Sequence, residues 1–409
     1  MKAPELPPLK TVKAGLHAAT EALEMELAHP GTPTPDWDDV QWRLASAVAA
    51  AHGVSPLLGR RCRWQHAAWQ RFLRDQRTHV ECRQRRIAAL LARIDAGAHA
   101  AALPVVALKG SALHAIGLYA PGDRPMADID LLVREDDAGM AVAVLEALGY
   151  AESYAQWKHR VFKPSGGVAV HGLGEHCDTP ITIELHFRIQ ERLPVSLADV
   201  TERVFPRAAQ PGLNAYASTG ALMSHLLLHA AGGVCSRSLR MVHLHDIALL
   251  SARMGESDWR ELDDCDEGGP AWWALPVLRL VDRYHPGVVP AGAMTRLARQ
   301  CPRLLRAISR RQDMTRVSCS ELWLHPLDGL EWSRSAGDVR RYLANRARPS
   351  AETVQERSDM MRTQLWLQGQ DWPRMGHARR VLHWLARPVP RMDMLYAVRA
   401  AMASPVLAC

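Results

Sequence analysis

The stretch Arg124-Pro-Met-Ala-Asp-Ile-Asp-Leu-Leu-Val133 decides how the rest of this 409-residue chain is read. Ile129, Leu131, Leu132 and Val133 form an apolar run of strand length, as in a buried β-strand. Side chains alternate along a strand, so Asp128 and Asp130 share a face a few ångströms apart. Two carboxylates that close repel each other, and a divalent cation between them removes the conflict. Upstream, Val105-Val-Ala-Leu-Lys-Gly-Ser-Ala-Leu113 reads as a strand, a Gly-Ser turn and a helix start. Downstream, Ile181-Thr-Ile-Glu-Leu-His-Phe187 alternates apolar and polar residues, which places Glu184 mid-strand and His186 on the same side. Glycine at Gly110 lets a phosphate approach the backbone, and the helix-start N–H groups with the Ser111 hydroxyl can donate to it. A phosphate cradle, a carboxylate pair and a third carboxylate point to metal-assisted phosphoryl chemistry.

The composition is that of a folded protein, 48% hydrophobic and 23% charged, with no long biased tract. No apolar run is long enough to cross a bilayer, and no cleavable signal is visible, so a cytoplasmic location is expected. The net charge of +7 comes from arginines scattered along helical patterns, which suits anionic ligands without singling out nucleic acid. Eight cysteines occur singly, with no C-x-x-C pair, so neither a zinc ribbon nor a disulfide scaffold is indicated. Cys177 shows no thiolate-stabilising partner and is assigned nothing.

Five segments follow from the pattern. Residues 1–35, rich in proline, are expected to form a flexible lead-in with one short helix. Residues 36–101 read as helical, opened by Asp36-Trp-Asp-Asp39 and continuing in an amphipathic helix from about Trp64 to Ala96. In that helix Ile87, Leu90, Leu91 and Ile94 share one face, and Arg83, Arg85 and Arg86 read as a solvated one. Residues 102–205 form a mixed α/β unit, with Asp136 or Asp137 capping a helix that Gly149 ends. Residues 206–299 return to helix, with Ser218 or Thr219 as cap and Gly232-Gly233 as terminator, and residues 300–409 continue as a helical extension. The fold class expected is α+β: a small mixed β-sheet core, flanking N-terminal helices and a large C-terminal helical region.

The order Gly110-Ser111, Asp128-Ile-Asp130, Glu184 resembles the nucleotidyltransferase fold shared by DNA polymerase β and many small transferases. The Leu-Lys-Gly, Arg…Asp-Ile-Asp-Leu-Leu-Val and Glu-Leu-His-aromatic strings are more closely similar to the bacterial uncharacterised nucleotidyltransferase family. The likeness covers roughly residues 36–290, including the later helix at Leu239-Arg-Met-Val-His-Leu-His-Asp-Ile-Ala-Leu249. The gap between Gly110-Ser111 and Asp128 is longer than in compact members of the fold. The resemblance implies that Asp128, Asp130 and Glu184 hold two Mg²⁺ ions, for which Mn²⁺ can substitute, and carry catalysis. It implies that Lys109, Gly110 and Ser111 bind the phosphates of ATP or another NTP, and that His186 orients a carboxylate or the acceptor. Arg124 has two readings, a phosphate contact or a structural ion pair. The expected reaction moves NMP, AMP from ATP in the first instance, onto a hydroxyl or phosphate of a small-molecule or peptide acceptor, in a biosynthetic or resistance setting.

Two rival readings remain in view: a catalytically silent nucleotide-binding module that regulates a partner, and an RNA- or DNA-modifying enzyme. The latter lacks an aromatic-interleaved basic motif. His225 and His229 have zinc-ligand spacing but lie among leucines and read as packing residues. His243, His245 and Asp246 read as a polar contact between helices with Arg240 or another neighbour, and Trp272-Trp273 and the C-terminal tryptophans as core.

Overall fold

The computed structural model describes residues 6–168, 170–263, 270–324, 327–367, 375–386 and 389–403. Its centre is a mixed six-stranded sheet. The strands are β1 (Pro104–Ala107), β2 (Asp128–Leu132), β3 (Tyr150–Ala155), β4 (His159–Pro164), β5 (Thr182–His186) and, after a separate hairpin of β6 (Gln190–Leu193) with β7 (Ser196–Asp199), β8 (Gly212–Asn214). The order across the sheet is β3-β4-β5-β2-β1-β8. β2 runs parallel to β5 and antiparallel to β1, so the acidic strand lies inside the sheet between two partners. That position explains its apolar run: both faces of Ile129-Asp-Leu-Leu132 are covered, and only the end carrying Asp128 reaches solvent.

The helices before and around the sheet are α1 (Leu9–Ala28), α2 (Asp39–Ala51), α3 (Ser55–Arg61), α4 (Ala67–Ala100), α5 (Gly110–Ala115), α6 (Ala138–Ala147), α7 (Thr201–Val204), α8 (Thr219–Cys235) and α9 (Met241–Ser251). α4 and α6 pack one face of the sheet, where Ile87, Leu90, Ile94, Ala141 and Leu145 meet Ile129, Leu131, Ile183 and Leu185. The opposite face carries Asp128, Asp130 and Glu184 and is roofed by the helices after residue 218. α2 opens with a capping box, Gln41 N–H donating to Asp38 at 2.8 Å and Asp38 N–H to the Gln41 side chain at 2.9 Å. Ser218 caps α8 through Ala221 N–H. Gly149, at φ +86°, follows α6 in the left-handed conformation that stops a helix.

Several expectations are corrected. Residues 9–28 are not a flexible lead-in but a 20-residue helix, because Val12, Leu16, Ala19, Leu23 and Leu27 recur on one face and are all buried. Gly232-Gly233 does not terminate α8, which runs on to Cys235. A Cβ on Gly233 would lie 3.2 Å from the Leu239 backbone, so the pair serves a close helix-to-chain approach. Asp137 makes no side-chain cap to α6; a 3₁₀ turn at Glu135–Asp137 leads into that helix instead. Trp272 and Trp273 are buried as expected, whereas Trp372 lies outside the described residues. The N-terminal helices, α8 and α9, and the last helix (Met392–Ala403) share one hydrophobic core, since Leu16, Val48, Leu227, Ile247 and Val398 belong to the same cluster. Among the described residues no helix is long and apolar enough to cross a membrane.

That shared core contains one buried acid with nothing to bond. Glu24 of α1 is 1% exposed, and neither of its side-chain oxygens has a hydrogen-bond partner. Burial, with Glu21 adding repulsion, pushes its carboxyl up to about 8. The unfolded chain gives up this proton near pH 4 to 5, so folded stability declines as pH rises from there to about 8. Glu24→Gln is therefore expected to lose less stability than wild type between pH 5 and pH 9, by roughly 4 kcal/mol. Urea unfolding at the two pH values measures it, and parallel pH profiles would contradict a protonated Glu24.

Candidate active site

The parallel β2–β5 register pairs Asp130 with Glu184, Asp128 with Thr182 and Leu132 with His186. Residues paired across neighbouring strands point to the same face, so Asp128, Asp130, Glu184 and His186 form one polar surface. β4, antiparallel to β5, brings His159 opposite His186. His186 Nε2 lies 3.0 Å from Asp130 Oδ1 and 3.6 Å from Glu184 Oε2, and His159 Nε2 lies 3.8 Å from the same Glu184 oxygen. His159, Glu184 and His186 thus bring potential ligand atoms within 4.8 Å of one another. The sequence placed Glu184 and His186 here; His159 is an addition that only the strand register reveals.

The charges at this surface are unequal. Burial, then the Asp130 and Glu184 carboxylates, pushes Asp128 up to about 7. Burial acts on Asp130 in the same sense, but the Lys109 ammonium and His186 outweigh it and hold Asp130 well below the usual carboxylate range. Glu184 is also held low: burial would raise it, and His186 at 3.6 Å, with His159 and Lys109, more than compensates. His186 shifts upward, since Asp130 and Glu184 overcome the effect of burial. The half-buried Asp128 is therefore the acid with the least local compensation, and it stands at the solvent end of β2. Such crowding is the chemistry of a cation site: hard carboxylate oxygens, too many for the cations the protein itself supplies.

Lys109 occupies the turn between β1 and α5. Its Nζ is 2.7 Å from Asp130 Oδ1, and its backbone has φ +46°, a strained conformation for a residue with a Cβ. The strain is held by Lys109 N–H donating to Tyr216 Oη at 3.1 Å, and Tyr216 Oη in turn lies 2.7 Å from His225 Nδ1. Gly110 and Ser111 follow, both buried. A Cβ on Gly110 would meet Arg124 Nη1 at 2.5 Å and Met126 Cγ at 2.9 Å, so the glycine admits protein atoms rather than open space. Ser111 N–H is spent on Leu108 O, and its hydroxyl is buried without a hydrogen-bond partner. The expected cradle is thus displaced: the group that this turn extends toward the acids is the Lys109 ammonium. Arg124 takes the structural reading, because Nε and Nη2 grip Asp246 at 2.8 and 2.7 Å and Tyr119 Oη donates to the same carboxylate at 2.7 Å. The partner of Asp246 is accordingly Arg124, and Arg240 instead donates to Ala51 O.

Opposite the acids, α8 supplies a roof. His225, Leu228 and His229 face Lys109, Lys158, His186 and Glu191 across a narrow crevice with about 20 Å³ of room. Glu191 bonds Lys158 at 2.9 Å and faces His229 at 3.8 Å; these two partners overcome burial and hold its carboxyl down at about 2. Beneath the acids, Arg83 of α4 is 1% exposed, against the expected solvated face. It donates to the carbonyls of Met126 (2.9 Å), Ala127 (2.6 Å) and Thr179 (2.5 Å), the residues that lead into β2 and β5. Arg85 and Arg86 are exposed as expected.

A mixed sheet with an acidic pair on an inner strand, a third acid on its parallel neighbour and a lysine turn at the rim is the core of a nucleotidyltransferase. The chain belongs to the uncharacterised nucleotidyltransferase family, whose family model matches residues 38–284. That match spans α2 through the helix Leu275–Tyr284, and so includes the roof as well as the acids. Neither the curated proteins nor the solved structures give a match.

Proposed function

We propose that this nucleotidyltransferase moves NMP, AMP from ATP in the first instance, onto a hydroxyl or phosphate of a small-molecule or peptide acceptor, with release of pyrophosphate. The observation that carries the reading is the β2–β5 register, which aligns Asp130 with Glu184 and leaves Asp128 short of positive charge. Asp128, Asp130 and Glu184 would hold Mg²⁺ or Mn²⁺. The cation supplies neutralisation of the triphosphate charge and acidification of the attacking hydroxyl. Lys109, paired with Asp130 in the free protein, can turn its ammonium to the phosphates once other charge satisfies that carboxylate. Glu184, kept ionised by its His186 contact, takes the acceptor proton. The crevice beneath His225 and His229, with Lys158 at its edge, borders Lys109 and His186 and has to open for the acceptor to enter.

One observation favours a rival. Lys109 already places a cation on Asp130, as in a module that binds nucleotide without turning it over. Incubation with α-labelled NTPs, Mg²⁺ or Mn²⁺ and candidate acceptors or host extract separates the two. Label transferred to an acceptor by wild type, and at least about a hundredfold less by Lys109→Ala, is the expected result. Tight ATP binding with no pyrophosphate released under any condition supports the silent module.

A further inference from the structure

Away from the acids, α4 and the loop before β5 bring a second set of metal-binding side chains together. His79 lies on α4, and His176 and Cys177 lie in the loop; their potential ligand atoms all fall within 4.8 Å of one another. The two imidazoles pack at 4.5 Å between ring centroids, and Cys177 Sγ is 3.9 Å from His176 Nδ1. Cys82 lies three residues beyond His79 on the same helix, a spacing that puts both side chains on the face turned to the loop. All four side chains are half-buried, partly shielded yet open to entry from solvent.

We propose that His79, His176 and Cys177, with Cys82 as fourth donor, form a structural zinc site that fastens the loop to α4. Two imidazoles and two thiolates are a donor set that zinc takes in closed tetrahedral sites. Ligand atoms around such an ion stand roughly 3.3–3.8 Å apart, so His79, His176 and Cys177 need to close by about an ångström and the Cys82 thiol to turn toward them. On binding, the thiol protons leave to solvent. The pattern escapes a search for paired cysteines, because it is His-x-x-Cys on a helix and His-Cys in a distant loop.

The position gives the site a purpose. The same loop is held to α4 by Gln76, which donates to Leu173 O and Glu175 O and accepts from Glu175 N–H, and by Arg86 donating to Cys177 O. One turn along α4, Arg83 holds Met126, Ala127 and Thr179. The metal would therefore lock the loop that delivers β5, and Glu184 with it, at a distance from the reacting groups. This inference does not depend on which nucleotide or acceptor the enzyme uses.

The test is metal analysis of the full-length protein purified without chelator, followed by cobalt substitution. About one equivalent of zinc, a thiolate-to-cobalt charge-transfer band after exchange, and a melting temperature lowered by several degrees on zinc removal are expected. His79→Ala and Cys177→Ser should lose the metal and the band, and His186→Ala, which alters only the cluster at the acids, should keep both. Where a variant does not fold, protection of Cys177 in the wild type from alkylation by added zinc gives the same answer. Zinc retained by the His79→Ala/Cys177→Ser double variant, zinc lost in His186→Ala, or a metal-free protein with a Cys82–Cys177 disulfide would each overturn the proposal.

Discussion

Asp128→Asn is expected to abolish turnover and, in the absence of metal, to make the protein more stable. Both effects have one origin. Burial and the neighbouring carboxylates push Asp128 up to about 7, whereas in the unfolded chain it titrates near 4. Between those values the unfolded state releases the proton first, so folded stability falls as pH rises through the window. Asparagine keeps the shape and carries no charge, which removes that loss. In melts with chelator at pH 8.5 the variant should unfold several degrees above wild type, since a rise from near 4 to about 7 is worth up to roughly 4 kcal/mol, and near pH 4 the two should converge. Added Mg²⁺ or Mn²⁺ should raise the wild type more than the variant. Transfer of label should fall on the order of 10³-fold, as when a group that stabilises transition-state charge is removed. A variant with wild-type turnover would remove Asp128 from the site.

The three acids were legible in the sequence because a strand forces its pattern on the residues. Period-two alternation set Asp128, Asp130, Glu184 and His186 on a common side, and the parallel register then set them level. What the sequence concealed came from partners distant in the chain. His159 carries no local signal; it matters because β4 runs antiparallel to β5. Tyr216 and His225 act on Lys109 across more than a hundred residues, through contacts that no spacing rule encodes. The Gly-Ser turn is plain in the sequence, but its glycine answers to Arg124 and Met126, because the long loop after α5 folds back over it. The first helix carries its apolar period openly, at Val12, Leu16, Ala19, Leu23 and Leu27, and it is the prolines on either side that argue for a loop.

Arg83 shows most clearly how a charged residue on an amphipathic helix can be misread, and it carries the other large expected effect. Its neighbours Arg85 and Arg86 are exposed, whereas Arg83 falls in the helical spacing of Val80, Ile87, Leu90 and Ile94, so the periodicity itself points it inward and only its charge argues against that. Only Arg83 points inward, where burial lowers its pKa and Glu175, 3.6 Å from Nε, partly offsets this. Its fork spans the carbonyls that precede both acid-bearing strands, which a lysine ammonium cannot do at once. Arg83→Lys and Arg83→Met leave buried carbonyls unbonded, and a loss of about 3–5 kcal/mol is expected for the methionine, somewhat less for the lysine. Where the lysine variant is still folded, turnover should drop roughly a hundredfold, because β2 and β5 are no longer held in register to a fraction of an ångström. Arg85→Lys should change neither quantity. Equal melting and equal turnover for the Arg83 and Arg85 lysine variants would mean that the entrance to the two strands is fixed by something other than this guanidinium.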